Sequence, residues 1–321
     1  MIQESFFSKE SVQGLGPLNQ PIYGIEEILE NEKTRKPANL YPKDFDLQKD
    51  NLLICGDNAE VMQRLLEMNG GKPFIDLIYI DPPFCSERNY DLKNSSDRGF
   101  RDKWEGGLPT YLAWLNARLL EMKRVLKKSG SLFVHLDWHA CHYVKAELDK
   151  IFGHEHFVNE IIWSYKSGGA SSSRFSRKHD TILFYGKTKS FKFSPMKEKS
   201  YNRGFKPYRF KGVKEYEDDL GWYTLVNMKD VWEIDMVGRS SKERIGYPTQ
   251  KPESLLARIV NSCTHPGDVV ADLFVGSGTT CAVAQKLGRR WIGVDQNPQA
   301  IEVAANRIKK LDSKFKIVEQ R

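Results

Sequence analysis

The chain is poor in cysteine, and what it has is badly placed for joint work. Cys55, Cys85, Cys141, Cys263 and Cys281 are the only five in 321 residues, and no Cys-x-x-Cys pair occurs. That argues against a disulfide scaffold or a zinc ribbon and points to a reducing, cytoplasmic setting. Long hydrophobic runs are also missing. The cleanest, Asp76-Leu-Ile-Tyr-Ile80, has the length of a strand and falls far short of the roughly 20 residues that span a bilayer. No membrane partner is therefore expected. No basic stretch followed by an apolar one opens the sequence, so no export signal is expected either. Internal repeats and low-complexity tracts are absent. The composition is globular: 40% hydrophobic and 12% aromatic residues supply the apolar mass that disordered chains lack. The length suits one large domain with an elaboration, or two.

The formal net charge is +7, but it is unevenly spread. Residues 164–214 hold 14 Lys or Arg against Asp180 and Glu198, which leaves the rest of the chain at −5. Aromatics from Trp163 to Phe210 interleave with those basic residues. Such a segment suits phosphate contacts, with Arg174, Arg177, Lys178, Arg203 and Arg209 as candidates.

Residues 1–50 are rich in breakers and read as an irregular arm with a short helix near Ile25–Glu32. From residue 51 the pattern becomes regular. Apolar runs at 52–55, 76–80 and 131–136 read as strands, and strands are also expected near 160–165 and 181–185. Helical periodicity runs through Val61, Leu65 and Leu66, and again over 111–126 and 143–152. Lys127-Lys128 suits a helix C-terminus, and the polar stretch 85–108 reads as a long loop. Alternation stops across 187–245, which reads as an inserted lobe. It resumes with a helix at 253–263, a strand at 269–274, a helix at 279–287, a strand at 291–295 and a helix at 299–311. Strands alternating with helices of this length predict an α/β fold with a mostly parallel sheet.

Two constellations carry chemistry. Asp272-Leu-Phe-Val-Gly276-Ser-Gly278-Thr279-Thr280 lies between a strand and a helix. Glycines there let a ligand approach the backbone, and the helix start offers free N–H groups. Asp295, 19 residues after Gly276 at the end of the next strand, is placed to accept from ribose hydroxyls. A dinucleotide fingerprint would want glycine at 281, where this chain has Cys281. A single adenosine with a non-phosphate tail fits better. The second constellation is Asp81-Pro82-Pro83-Phe84, directly after a strand. The prolines stiffen the chain and donate no hydrogen bonds. Asp81 and the Pro82 carbonyl are acceptors, and Phe84 offers a flat face. Together they suit a planar ring with an exocyclic amino group.

With these motifs the chain resembles the amino-group DNA methyltransferases, which methylate N6 of adenine or N4 of cytosine using S-adenosylmethionine. Asp81–Phe84 matches the catalytic motif, and Asp272–Thr280 matches the cofactor loop. The catalytic motif comes first, as in the permuted beta class. Pro248-Thr-Gln-Lys251-Pro-Glu253 and Cys55-Gly-Asp57-Asn58 resemble further cofactor segments of that class. The resemblance implies a doubly wound, Rossmann-like fold, circularly permuted, with residues 51–186 as the catalytic half and 246–321 as the cofactor-binding half. Residues 187–245 would be a target-recognition lobe. Catalysis would fall to Asp81, Pro82, Pro83 and Phe84. The cofactor would be held by Asp57, Lys251, Asp272, Phe274, Gly276, Ser277, Gly278, Thr279, Thr280, Asp295 and Gln296. Asp at 81 favours adenine, in a restriction–modification system. Double-stranded DNA is the implied partner, and a homodimer and a cognate restriction endonuclease on a separate chain stay open. The alternatives are an N4-cytosine enzyme, an RNA or protein amino-group methyltransferase, and a silent DNA-binding subunit. Phe84 separates Cys85 from Pro83, so the thiol chemistry of cytosine-C5 enzymes is not expected. His135, His139, His142 and Cys141 superficially resemble metal ligands, but strand and loop positions would scatter them, so no metal is expected.

Overall fold

Alternation along the strands sorts the core into two layers. In β2 (Leu52–Cys55), Leu52 and Ile54 join one buried cluster and Leu53 joins the other. In β3 (Ile75–Ile80), Ile78 and Ile80 go one way and Leu77 and Tyr79 the other. Successive strand side chains point to opposite faces, so a sheet covered on both faces needs strands that are apolar throughout. A computed structural model of the chain describes residues 22–34, 38–86, 88–90, 100–102, 104–166, 170–311 and 314–321.

The remaining strands are β1 (Leu40–Tyr41), β4 (Arg88–Tyr90), β5 (Phe100–Asp102), β6 (Leu126–Leu136), β7 (Phe157–Ser164), β8 (His179–Gly186), β9 (Lys197–Tyr201), β10 (Glu215–Asp218), β11 (Gly221–Asn227), β12 (Val231–Glu233), β13 (Val269–Asp272), β14 (Arg290–Asp295) and β15 (Lys316–Gln320). The helices are α1 (Ile25–Thr34), α2 (Asn58–Met68), α3 (Leu108–Val125), α4 (Cys141–Phe152), α5 (Glu253–Cys263), α6 (Thr279–Lys286) and α7 (Pro298–Lys309). Ten strands form one sheet in the order β1-β15-β2-β14-β13-β3-β6-β8-β7-β12. Pairing is parallel from β15 through β6 and between β7 and β12; β8 runs antiparallel to both its neighbours. Residues of α1, α2, α3 and α4 share one core cluster, and those of α5, α6 and α7 share the other. This is the expected doubly wound, mostly parallel α/β fold.

The strand order in the sheet places the two motifs side by side. β13 lies between β14 and β3, and Asp272 is in register with Tyr79. From β13 the chain steps to β14 on one side, and from β3 it leads to β6 on the other. Strand order reverses between them, which is where open α/β sheets bind ligands.

Several local expectations need correction. The stretch 85–108 is not a loop throughout, because β4 and β5 pair as an antiparallel hairpin. Helix α3 starts at Leu108, with Pro109 in its first turn, and ends at Val125. Lys127 and Lys128 therefore belong to β6 rather than to a helix end. A Cβ at Gly130 would lie 2.8 Å from the Leu126 side chain and 3.0 Å from the Asp76 carbonyl oxygen, so only glycine fits that close passage. Within 187–245, β9, β10 and β11 form a separate antiparallel sheet, whereas β12 joins the main sheet beside β7. Among residues 1–50, Ile22, Ile25, Ile28, Leu40, Phe45 and Leu47 are buried in the main core.

A buried carboxylate ties together the N-terminal ends of the central strands. Asp76 is 1% exposed and accepts from Lys127 Nζ at 2.7 Å, Lys192 Nζ at 3.0 Å and the Val269 N–H at 3.0 Å. Burial opposes its charge, but these donors outweigh burial and hold the carboxyl below its ordinary range. A carboxyl that titrates lower when folded stabilises fully above its unfolded value, and that stabilisation is lost as pH falls through the folded value. Asp76→Asn is expected to cost about 2–3 kcal/mol at neutral pH, allowing for the partial exposure of the lysines. Urea unfolding of both proteins at neutral and acidic pH checks this, and the difference should shrink in acid.

Candidate active site

The C-terminal ends of β3 and β13 open into one cleft. Asp81, Pro82, Pro83 and Phe84 line it from one side. Asp272, Phe274, Gly276, Ser277, Thr279 and Thr280 line it from the other, together with Lys251, Asp295 and Gln296.

On the β3 side, Lys251 Nζ donates to Asp81 Oδ2. Asp81 Oδ1 is buried and has no hydrogen-bond partner among the described residues. The same Nζ lies 5.6 Å from the centre of the Phe84 ring. Behind this wall runs a buried polar chain. The Tyr79 hydroxyl lies 2.8 Å from His135 Nδ1, His135 Nε2 lies 3.3 Å from Asp180 Oδ2, and the Tyr165 hydroxyl donates to Asp180 Oδ1 at 3.2 Å. Burial pushes the Tyr79 hydroxyl well above its ordinary pKa, and the Asp81 charge adds to that rise. His135 is thus engaged inside the sheet, and His139 is held by Asp137 at 2.7 Å.

On the β13 side the turn is tightly drawn. Gly276 and Gly278 take φ of +45° and +71°, a region that side chains avoid. A Cβ at Gly278 would sit 2.8 Å from the Ala304 Cβ, and one at Gly276 3.3 Å from the Tyr247 ring. The Gly276 N–H donates to Asp295 Oδ2 at 3.0 Å, and the Asn297 N–H to Oδ1 at 2.9 Å. Burial raises the Asp295 pKa, and those two bonds oppose the rise. Asp272 accepts from the Thr280 hydroxyl and from the Phe274 N–H. Burial pushes it up to about 7, with the Asp81 and Asp295 charges adding to the rise. Cys281 occupies the third glycine position of a dinucleotide turn. Space for it comes from the neighbouring strand, since a Cβ at Gly293 would lie 2.9 Å from the Cys281 sulfur.

A family description, DNA methylase, matches residues 75–306. Type II methyltransferase M.HpaI of Haemophilus parainfluenzae is 31% identical over 267 residues, covering 83% of this chain and 76% of that protein. DNA adenine methyltransferase YhdJ of Escherichia coli strain K12 is 30% identical over 241 residues, covering 73% and 76%. The solved M1.HpyAVI–SAM complex matches with a TM-score of 0.52 at 20% identity, over 80% of this chain and 98% of that one. The cytosine-N4-specific PvuII DNA methyltransferase matches with a TM-score of 0.54 at 17% identity, over 81% and 87%. These two structures share the fold. The chain belongs to the DNA methylase family. The family's methyl donor is S-adenosylmethionine.

Other predicted residues of the methylase sit elsewhere. The Asp57 carboxylate caps α2 through the Ala59 and Glu60 N–H groups and pairs with Arg118, while its neighbours Gly56 and Asn58 line the cleft. Gly278 heads α6 behind the cleft wall. Arg174, Arg177 and Lys178 lie on the connection from β7 to β8, and Arg177 stacks 3.5 Å from the centre of the exposed Trp138 ring. Arg203 and Arg209 are exposed between β9 and β10.

Sequence reasoning missed Trp114, Arg118, Tyr247 and Asp102, which also line the cleft; Asn58 and Thr249, also in the lining, fell within the two segments matched to cofactor segments but were not singled out. Arg118 offered a signal, because a charge beside the apolar stripe of α3 needs a partner. Its guanidinium lies 4.2 Å from the centre of the Trp114 ring.

A cationic ligand in this cleft favours ionised Asp272. Affinity for S-adenosylmethionine is therefore expected to rise by up to about tenfold from about pH 6 to about pH 8. In Asp272→Asn that dependence should flatten. Calorimetric titration across this range checks both.

Proposed function

We propose that this DNA methylase transfers a methyl group from S-adenosylmethionine to N6 of an adenine in double-stranded DNA, with Asp81, Pro82, Pro83 and Phe84 holding the target base. The observation that carries this reading is Asp81 Oδ1, a buried acceptor without a partner among the described residues, on a residue that lines the same cleft as the glycine turn. Adenine is favoured over cytosine by the aspartate at 81 and by the likeness to a DNA adenine methyltransferase. The likeness to type II methyltransferases supports a place in a restriction–modification system.

The cleft fits S-adenosylmethionine. Asp295, pinned by the Gly276 and Asn297 N–H groups, keeps lone pairs for ribose hydroxyls. Asn58 Oδ1 is buried without a partner among the described residues and can accept one more donor. Phe274, Tyr247 and Trp114 supply apolar wall. When bound, S-adenosylmethionine supplies an electrophilic methyl group on a sulfonium, so this chain needs neither a metal nor a covalent intermediate.

The residues then do the rest. An exocyclic amine is a weak nucleophile because its lone pair is delocalised into the ring. Hydrogen bonds from its two N–H groups to Asp81 Oδ1 and the Pro82 carbonyl favour a pyramidal nitrogen, and stabilisation that grows toward the transition state lowers the barrier. The nitrogen gains the methyl and loses one proton, which passes through Asp81 to solvent. Phe84 stacks on the base. In duplex DNA the base has to be turned out first, at about a few kcal/mol. Residues 187–245 act as the target-recognition lobe between the catalytic and cofactor-binding halves, 51–186 and 246–321; of the expected N-terminal arm, residues 1–21 and 35–37 lie outside the described residues. Arg174, Arg177, Lys178, Arg203 and Arg209 contact phosphates.

Asp81→Ala is expected to lower methyl transfer to DNA by at least about 10³-fold while leaving S-adenosylmethionine binding largely intact. A tritium-transfer assay beside a binding titration checks it, and normal turnover by the variant overturns the reading. Removing Arg174 or Arg177 should lower the salt slope of DNA binding by about 0.9 per lost contact; fluorescence anisotropy over a salt series reads that slope.

A further inference from the structure

Asp102 makes more hydrogen bonds to the catalytic turn than any other side chain among the described residues. It is 1% exposed. Its Oδ2 accepts from the Phe84 N–H at 3.1 Å, the Ser86 N–H at 2.8 Å and the Ser86 hydroxyl at 2.6 Å. Its Oδ1 accepts from the Cys85 N–H at 2.8 Å. Three successive backbone N–H groups converging on one anion form a nest. Pro82 and Pro83 have no N–H to give, so these are the first main-chain donors after Asp81. All three go to one carboxylate. Cys85, at their centre, takes φ of +57°, which a non-glycine residue adopts only when its surroundings enforce it.

The anion also reaches toward the other half of the cleft. Trp104 Nε1 donates to Asp102 Oδ1 at 3.4 Å. The Trp104 ring lies 4.8 Å from that of Trp114, which in turn lies 5.7 Å from Phe274 on the glycine turn. Asp102 ends β5, so the hairpin it closes is fastened to the turn that carries Phe84.

We propose that Asp102 is a positioning residue for methyl transfer: its carboxylate folds the turn after Pro83 so that Phe84 and Asp81 present a ready site for the target base. This rests on reading Asp81–Phe84 as the site of the accepting amine. Asp102 lines the cleft but acts through the backbone it holds, so its effect falls on the rate of transfer and not on donor affinity.

Asp102→Asn keeps the shape but replaces one acceptor oxygen with an N–H donor that faces other donors. With unmethylated, PCR-amplified DNA and tritiated S-adenosylmethionine, its kcat is expected to fall by about 100-fold, as for a small misplacement of reacting groups. The KM for S-adenosylmethionine should hold, while the melting temperature falls by about a few degrees as the buried donors lose their acceptor. Ser86→Ala removes the hydroxyl bond to Asp102 and keeps the backbone bond, and should lower kcat by about tenfold with the same KM. Wild-type kcat in Asp102→Asn overturns the proposal, as does a loss of donor affinity in step with kcat. If Asp102→Asn does not fold, Ser86→Ala decides, and an unchanged kcat there overturns the proposal. If the wild-type chain transfers no methyl group to this DNA, the amine-site reading fails first and takes this proposal with it. An active wild type beside an equally active Asp102→Asn removes the proposal alone.

Discussion

Hydrogen bonding between β3 and β13 is the constraint from which the site follows. Asp272 pairs in register with Tyr79, so the turn after each strand emerges at the same edge of the sheet. Asp81 and Lys251 are 170 residues apart in the chain, yet their side chains meet. Chain order plays no part in that meeting. The sheet accepts either motif first, because what matters is which strand C-termini flank the point where strand order reverses. Asp76 secures the same two strands at their other ends, through Lys127, Lys192 and the Val269 N–H.

Charge is divided between the cleft and the surface. The cleft gathers Asp81, Asp102, Asp272 and Asp295 against Lys251 and Arg118. Such an excess of carboxylate suits a cationic sulfonium ligand and raises the cost of ionising Asp272. The positive excess lies instead on exposed segments of 164–214, where Arg174, Arg177, Arg203 and Arg209 face solvent. The proposed roles thus assign a polyanionic duplex and a cationic methyl donor to surfaces of opposite sign on one molecule.

Legibility in the sequence tracked the strength of periodic burial. The helix expected at 253–263 coincides with α5, because an amphipathic repeat with a clear acidic start has little else to become. The central strands were equally readable, being apolar on both faces. β15 was not, since Val318 is its one buried residue. β6 was missed at its start because Lys127 looks like a helix end until Asp76 appears beside it. The motif positions were legible as local chemistry, and the DNA methylase family followed from them. Partnerships were not. That Asp57 pairs with Arg118, that Lys251 reaches Asp81, and that Asp102 binds three consecutive N–H groups are tertiary facts. Each joins residues that no local pattern connects.

We propose that a buried carboxylate oxygen of Asp81, without a partner among the described residues, and the glycine-lined cradle act together to methylate an adenine amine. Mass analysis of nucleosides tests it most directly, after duplex DNA is incubated with the protein and S-adenosylmethionine bearing a deuterated methyl group. The account predicts the label in N6-methyladenine. Label found only in another nucleoside, or in none, would contradict it.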